Sequence, residues 1–359
     1  MVRSVRRLLL TGFVSCLLVG VTAPQALAGV ANAGVPGASA SNPIAGLPWG
    51  VYSGRDDEVF PAYRASSGQD QTLLGRIALR PRVRWFGAWY RTSRLDEVVH
   101  EYISNSTSGR SDVLSQMAVF RLVPWENEAR HRLPTLAEQA SYKQWIDTFA
   151  AAIGSSRVAL ILQPDLPFAL WVPGGSKLPL QLVAYAAQTF SALPHTTVYI
   201  DVGAADWPTV GQAVSLLRDA GIQYARGFAL DATHYDSTAH QIKFGQKVVR
   251  GLARHHLGGR HFVVNTAENG RPFTYQQYHG PNYDNARVCP SRSARRCVTL
   301  GIPPTWHVAS RRWHLPAGLR RIARRLVDGY LWIGRPWLDN QSDPFDLKRS
   351  LSLARTTPF

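Results

Sequence analysis

The chain has 359 residues, 45% of them hydrophobic and 18% charged. That composition supplies ample core for a globular protein and excludes disordered, collagen-like and low-complexity chains. Three cysteines exclude a disulfide-dense scaffold, and the net charge of +16 suits either plain solubility or attraction to polyanions.

Arg3, Arg6 and Arg7 precede a mostly apolar run from Leu8 to Val21, and Ala26-Leu27-Ala28 fits a small-x-small cleavage site. Residues 1–28 are read as a secretory signal peptide and residues 29–43, built of small and polar residues, as a flexible leader. No other stretch reaches the ~18 apolar residues of a spanning helix, so a secreted, extracellular protein free of the membrane is expected. Cys289 and Cys297 are then the mature cysteines, and an oxidising compartment favours their pairing as a disulfide. A zinc site is not expected, because no further Cys and no spaced His pair joins them, and no other metal or organic cofactor is called for.

Residues 44–359 read as one domain. Short apolar runs occur at Trp49–Tyr52, Val83–Tyr90, Ala118–Val123, Val158–Gln163, Thr197–Val202, Tyr224–Leu230, His261–Thr266 and Gly329–Ile333. Continuous runs bounded by polar residues are the pattern of parallel strands buried on both faces. Helical patterns lie between them at Leu95–Asn105, Leu136–Ile153, Leu180–Leu193, Gly211–Ala220, Ser237–His255 and Leu315–Val327. The alternation predicts an α/β fold, a barrel or a doubly wound sheet. Common nucleotide-binding and hydrolase-elbow signatures are missing. Instead, several runs end in polar residues: Gln163-Pro164-Asp165, Asp201, Asp231 and Asn265. In a parallel barrel these ends converge on one face, where sites form. Paired carboxylates with aromatic walls would suit glycoside hydrolysis.

Taken together the strand-end motifs resemble glycoside hydrolase family 6, the secreted cellulases that cut β-1,4-glucan with inversion. The resemblance is carried by Asn42-Pro43-Ile44-Ala45-Gly46 with Tyr52, Arg84-Trp85-Phe86-Gly87, Ile161-Leu162-Gln163-Pro164-Asp165 and Val198-Tyr199-Ile200-Asp201-Val202-Gly203 with Trp207. It continues through Arg226-Gly227-Phe228-Ala229, Phe262-Val263-Val264-Asn265-Thr266, Gly301-Ile302-Pro303-Pro304-Thr305 and Asp328-Gly329-Tyr330-Leu331-Trp332, in the family's order. It implies a distorted parallel β/α barrel of seven or eight strands, with β-glucan across its C-terminal face and Asp165 as general acid. It places Trp85, Trp207, Asp201, Arg226, Asn265 and Trp332 in the substrate-binding set. The carboxylate assisting Asp165 falls on Glu126, Asn127 or Glu128, with Glu126 favoured. Asp339 stands in the segment of the proposed base.

The sequence departs from the family at Gln163, where an acid is usual, at Ala204, where His is usual, and at Gln341, where the final Asp is usual. A fixed base is therefore in question. The leading expectation is a secreted, monomeric β-1,4-glucanase. The alternative is a catalytically reduced glycan- or wall-binding protein on the same scaffold. Arginines cluster between Arg287 and Arg325 without any nucleic-acid motif, and no specific nucleic-acid partner is expected. No separate carbohydrate-binding module is expected, the chain ending at Phe359 close behind the last helical pattern.

Overall fold

Each predicted crossover in the sequence brings an apolar run back parallel to the one before it. The structure, a computed structural model, describes residues 41–55 and 59–359. The expected signal peptide and the leader up to residue 40 lie outside them. The elements are α1 (Val59–Ala65), α2 (Gly68–Ala78), β1 (Arg84–Gly87), α3 (Leu95–Thr107), β2 (Ser115–Phe120), α4 (Glu126–Ala129) and α5 (Leu136–Ile153). There follow β3 (Val158–Leu162), α6 (Leu178–Ser191), β4 (Thr196–Asp201), α7 (Val210–Asp219), β5 (Gly227–Leu230) and α8 (Thr238–Ala253). The last are β6 (His261–Asn265), α9 (Ala317–Leu326), β7 (Val327–Leu331) and α10 (Leu347–Thr356).

Seven strands form one parallel sheet in sequence order, β1 to β7. Strand periodicity splits each run between two cores. Phe86, Met117, Val119, Leu160, Leu162, Phe228 and Val264 pack outward with the helices. Trp85, Ala118, Ile161, Tyr199, Ala229, Val263 and Leu331 pack together inside. One inner cluster drawn from all seven strands requires the sheet to curl into a distorted barrel. Its two edges meet where the Val83 N–H donates to the Trp332 carbonyl at 2.9 Å. The Trp85 Nε1–H adds a bond to the Ile333 carbonyl at 2.8 Å.

The longest helix shows how local sequence sets an element. Thr135 accepts from the Glu138 N–H while Glu138 accepts from the Thr135 N–H, and Gly154 ends the run. Its buried face carries Trp145 and Phe149, stacked at 5.0 Å. Phe149 also meets Phe86 of β1 and Phe190 of α6 edge-on. Such aromatic contacts add ~0.5–1.5 kcal/mol each beyond area burial.

The run Trp49–Tyr52 is not a strand. It makes a single parallel bridge, Trp49 to Leu114. This segment closes the barrel's N-terminal end instead: Ile44 is fully buried in the inner core, and Asn42 donates to the Asp328 carbonyl at 2.7 Å. The helices α1, α2 and α10 fall outside the predicted helical patterns and pack with the loops after β6 and β7 into a separate apolar cluster.

Arg226 precedes β5 and so lies at the N-terminal end, far from the strand-end rim. Its guanidinium donates to both oxygens of Asp328 at 2.9 and 3.1 Å. Tyr199 donates to the same carboxylate at 2.8 Å, and His261 lies 3.2 Å away. Burial pushes the Asp328 carboxyl up, but the His261 and Arg226 hydrogen bonds outweigh it and hold it below its ordinary value. Removing one partner strands a buried charge. We therefore expect Arg226→Met to destabilise the fold by about 3–5 kcal/mol, read as a lowered denaturant midpoint; an unchanged midpoint would show the pair to be dispensable.

Candidate active site

The C-terminal strand ends open into a cleft of about 1040 Å³. Of the residues singled out from sequence, Asp165, Glu126, Trp85 and Trp207 line it. Asp165 stands just past β3, where the chain must turn sharply into the next helical turn. Asp165 and Gln163 both adopt left-handed backbone, with φ of 64° and 51°. Glu126 and Gln341 do so as well, with φ of 52° and 55°. Strain of this kind, of order ~1–3 kcal/mol per residue, concentrates where function over-determines geometry.

Surrounding groups fix that turn. The Asp165 N–H donates to Asp201 Oδ1 at 3.1 Å, and the Gly203 N–H donates to the same oxygen at 2.9 Å. Asp201 is itself fully buried and does not line the cleft; it anchors the backbone of Asp165 from below. Burial, then the charge of Asp165, push the Asp201 carboxyl well above its ordinary value. Gln163 keeps an acceptor oxygen at its position. Its Oε1 accepts from the N–H groups of Arg121 and Leu122, both at 3.3 Å, tying β3 to the segment that carries Glu126.

The Asp165 side chain is only 8% exposed. Desolvation pushes its carboxyl up to about 7, and the charges of Glu126 and Asp284 add to the rise. The Thr233 hydroxyl, donating to Asp165 Oδ1 at 2.6 Å, and nearby His234 work the other way. Glu126 is exposed to the cleft; partial desolvation and then Asp284 raise its carboxyl. Asp284, also facing the cleft, is raised by desolvation and opposed by His234. Three carboxylates thus line one cleft with their ionisations pushed upward.

Aromatic side chains form the walls. Trp207 stacks on His234 at 5.0 Å and on the half-exposed Trp171 at 6.1 Å. Phe168 meets Trp207 edge-on, and Arg130 covers the other part of Trp171 at 4.6 Å. Across the cleft Arg335 lies 4.5 Å over Trp85. His234 is held by Asp206, Nδ1 to Oδ1 at 2.9 Å, and Asp206 also accepts from the Tyr275 N–H at 2.7 Å. Burial raises the Asp206 carboxyl, yet the His234 hydrogen bond and charge outweigh it and leave it lowered.

Four further expectations are corrected by position. Arg226 sits at the opposite end of the barrel, as described above. Asn265 is 1% exposed and acts as a splice: it donates to the Asp231 carbonyl and accepts from the N–H groups of Ala267, Ile333 and Gly334. Trp332 is 2% exposed in the separate apolar cluster with α1, α2 and α10, and donates to the Ile302 carbonyl at 3.0 Å. Strand alternation explains this, since a residue one place from the inward-facing Leu331 must face out. Asp339 is turned away toward Asn285, while Gln341 lines the cleft and accepts from the Arg335 N–H at 3.3 Å.

Sequence reasoning missed Thr233, His234, Asp206 and Asp284. Asp231 signals the end of β5, but it is buried, accepting from Gln241 and Asn269, and the functional face is built two and three residues later. Asp284 lies in a long loop with no periodic signal. Cys289 and Cys297 form a disulfide. Among the described residues no group of three His, Cys, Asp or Glu could hold a metal ion, and no helix is long and apolar enough to cross a membrane.

Comparison with known proteins gives this geometry a lineage. Residues 51–313 match the family described as Glycosyl hydrolases family 6. Endoglucanase A of Cellulomonas fimi is 32% identical over 221 residues, covering 62% of this chain and 47% of that protein. The match thus spans about half of that relative's length. Endoglucanase 1 of Streptomyces halstedii is 28% identical over 250 residues, 67% of this chain and 75% of the relative. The endoglucanase Cel6 from Mycobacterium tuberculosis, in complex with methyl-cellobiosyl-4-deoxy-4-thio-β-D-cellobioside, superposes with a TM-score of 0.69 at 25% identity, covering 88% of this chain and 99% of that one.

The electrostatics yield a signed expectation. In Glu126→Gln a like charge that raises Asp165 is lost, so the Asp165 carboxyl should titrate below about 7. In Thr233→Val a hydrogen bond that favours its ionised form is lost, so it should titrate above that value. Carboxyl carbon NMR of labelled protein reads both; shifts in the same direction would contradict the arrangement.

Proposed function

Because the chain belongs to glycosyl hydrolases family 6, we propose that it is a secreted glucanase that hydrolyses β-1,4-glycosidic bonds of cellulose or a related β-glucan with inversion. Asp165 is the general acid. The observation that carries this reading is a buried carboxyl, raised to about 7, at the floor of an aromatic-walled cleft. A carboxyl that is still protonated near neutral pH can donate to the glycosidic oxygen as the bond breaks. The exposed Trp171 and Trp89, with the partly exposed Trp207, supply the aromatic surface a sugar chain would meet in the cleft. After proton transfer, the Thr233 hydroxyl and His234 stabilise the Asp165 carboxylate, since both favour its ionised form.

Inversion needs a second carboxylate that takes a proton from water on the opposite side of the sugar, ~6.5–9.5 Å from the acid. Gln341 has no ionisable group, and Asp339 faces Asn285. Of the other carboxylates lining the cleft, Asp206 is held by His234 and Asp343 does not act on Asp165, so Asp284, whose charge reaches Asp165, is assigned to the water, with Glu126 as the charge that helps keep Asp165 protonated. Asp201 positions Asp165 through its backbone. The chain acts as a monomer on this reading, with residues 44–359 as the catalytic domain and residues 1–28 removed on export.

Asp165→Asn should lower hydrolysis of soluble mixed-linkage β-glucan by ~10²–10⁴-fold, with an unchanged circular dichroism spectrum. Parental rates in that variant would overturn the assignment. A folded parent that binds glucan but releases no reducing ends would favour the binding-only alternative.

Asp284→Ala should be impaired to a similar order but partly restored by added azide, which replaces the activated water and gives an inverted glycosyl azide. Azide should not rescue Asp165→Asn on an unactivated substrate. Undiminished activity in Asp284→Ala would remove Asp284 from the reaction.

A further inference from the structure

Charge on this chain is not spread evenly. From Asn285 to Val327 there are 10 arginines and not one Asp or Glu. The cleft does not use them. Arg320, Arg321, Arg324 and Arg325 repeat at helical spacing along α9, so one face of that helix is guanidinium throughout. Among the described residues none of these, nor Arg311 or Arg312, has an ion-pair partner.

Beside this face lies a second groove of about 850 Å³, lined by Trp306, Trp313, His307, Arg312, Arg324 and Arg80 among others, with no acidic side chain. It is built rather than incidental. Trp313 donates through Nε1 to the His307 carbonyl at 2.8 Å, and the Trp306 ring sits against the His307 ring at 3.6 Å. The groove also takes in Val327, the first residue of β7, and Arg80, which precedes β1. It therefore lies at the N-terminal end of the barrel, opposite the cleft.

We infer that this groove and the arginine face of α9 form a second binding site for an acidic polysaccharide, a glycan chain carrying regularly spaced carboxylate groups. Arginines without partners supply charge complementarity and paired N–H donors for carboxylates. Half-exposed tryptophans supply flat faces for sugar rings. A membrane surface fits less well, because Leu319 and Ala323 of α9 are buried against the protein and no exposed apolar stripe remains to enter lipid. Duplex nucleic acid would satisfy the charge but would leave the tryptophan-lined groove without a role. The site tethers the protein while leaving the cleft free, and binding here stands whether or not the cleft hydrolyses glucan.

The test uses affinity electrophoresis and calorimetry of the mature protein with polygalacturonate, carrying Asp165→Asn so that no hydrolysis intervenes. Binding should weaken about ten-fold or more between ~50 and ~200 mM salt. Arg312→Glu/Arg324→Glu should lose about ten-fold in affinity, whereas Arg64→Glu/Arg218→Glu, with the same change in charge, should lose far less. Trp306→Ala should weaken polygalacturonate binding without weakening binding to duplex DNA. In the otherwise parental protein, Arg312→Glu/Arg324→Glu should leave hydrolysis of soluble β-glucan unchanged. No binding to polygalacturonate, equal losses in the two double variants, or tighter binding to duplex DNA or anionic phospholipid vesicles would overturn the inference.

Discussion

The desolvation of one carboxyl, Asp165, is the constraint around which the rest of the cleft is arranged. A carboxyl taken from water favours its proton. Everything near Asp165 either keeps water from it or limits how far its ionisation is displaced. The left-handed turn after β3 drops it to the cleft floor, and Asp201 holds that turn by accepting its N–H. Phe168 and Trp207 pack edge-on beside it on the segments after β3 and β4. Thr233 and His234 oppose the displacement and leave a group that can both hold and release a proton near neutrality.

The barrel makes this arrangement possible by separating two tasks along its axis. At the N-terminal end, Arg226, His261 and Tyr199 converge on Asp328 and lock β4, β5, β6 and β7 together. At the C-terminal end, chain turns free of ladder hydrogen bonds carry strained residues that aim side chains inward. Stability and chemistry thus occupy opposite ends of the same strands, as is usual for parallel barrels.

Much of this was legible in the sequence. Seven of the eight apolar runs are strands, because a run buried on both faces has few other solutions. Asp165 stands out as a candidate because it lies just past such a run, within a motif that resembles the family's, and it lines the cleft. Arg226 misled because it flanks the other end of its strand, and a short motif does not reveal which end of the barrel it serves. Asn265 and Asp201 do stand at strand ends, but they spend their side chains on backbone N–H groups. Trp332 follows an inward-facing residue and so faces out. Asp284 was invisible, since a loop residue is placed by packing between distant segments and leaves no periodic trace.

On the proposed function, desolvation is what lets Asp165 work as a protonated acid. The pH dependence of kcat/KM on soluble β-glucan tests it most directly. A general acid must carry its proton, so the alkaline limb of the profile should fall as pH rises through about 7, the value to which burial drives Asp165, while protonation of the base Asp284 sets the acid limb. A rate that stays level well above that pH, or that already falls near the ordinary range of exposed carboxylates, would contradict it.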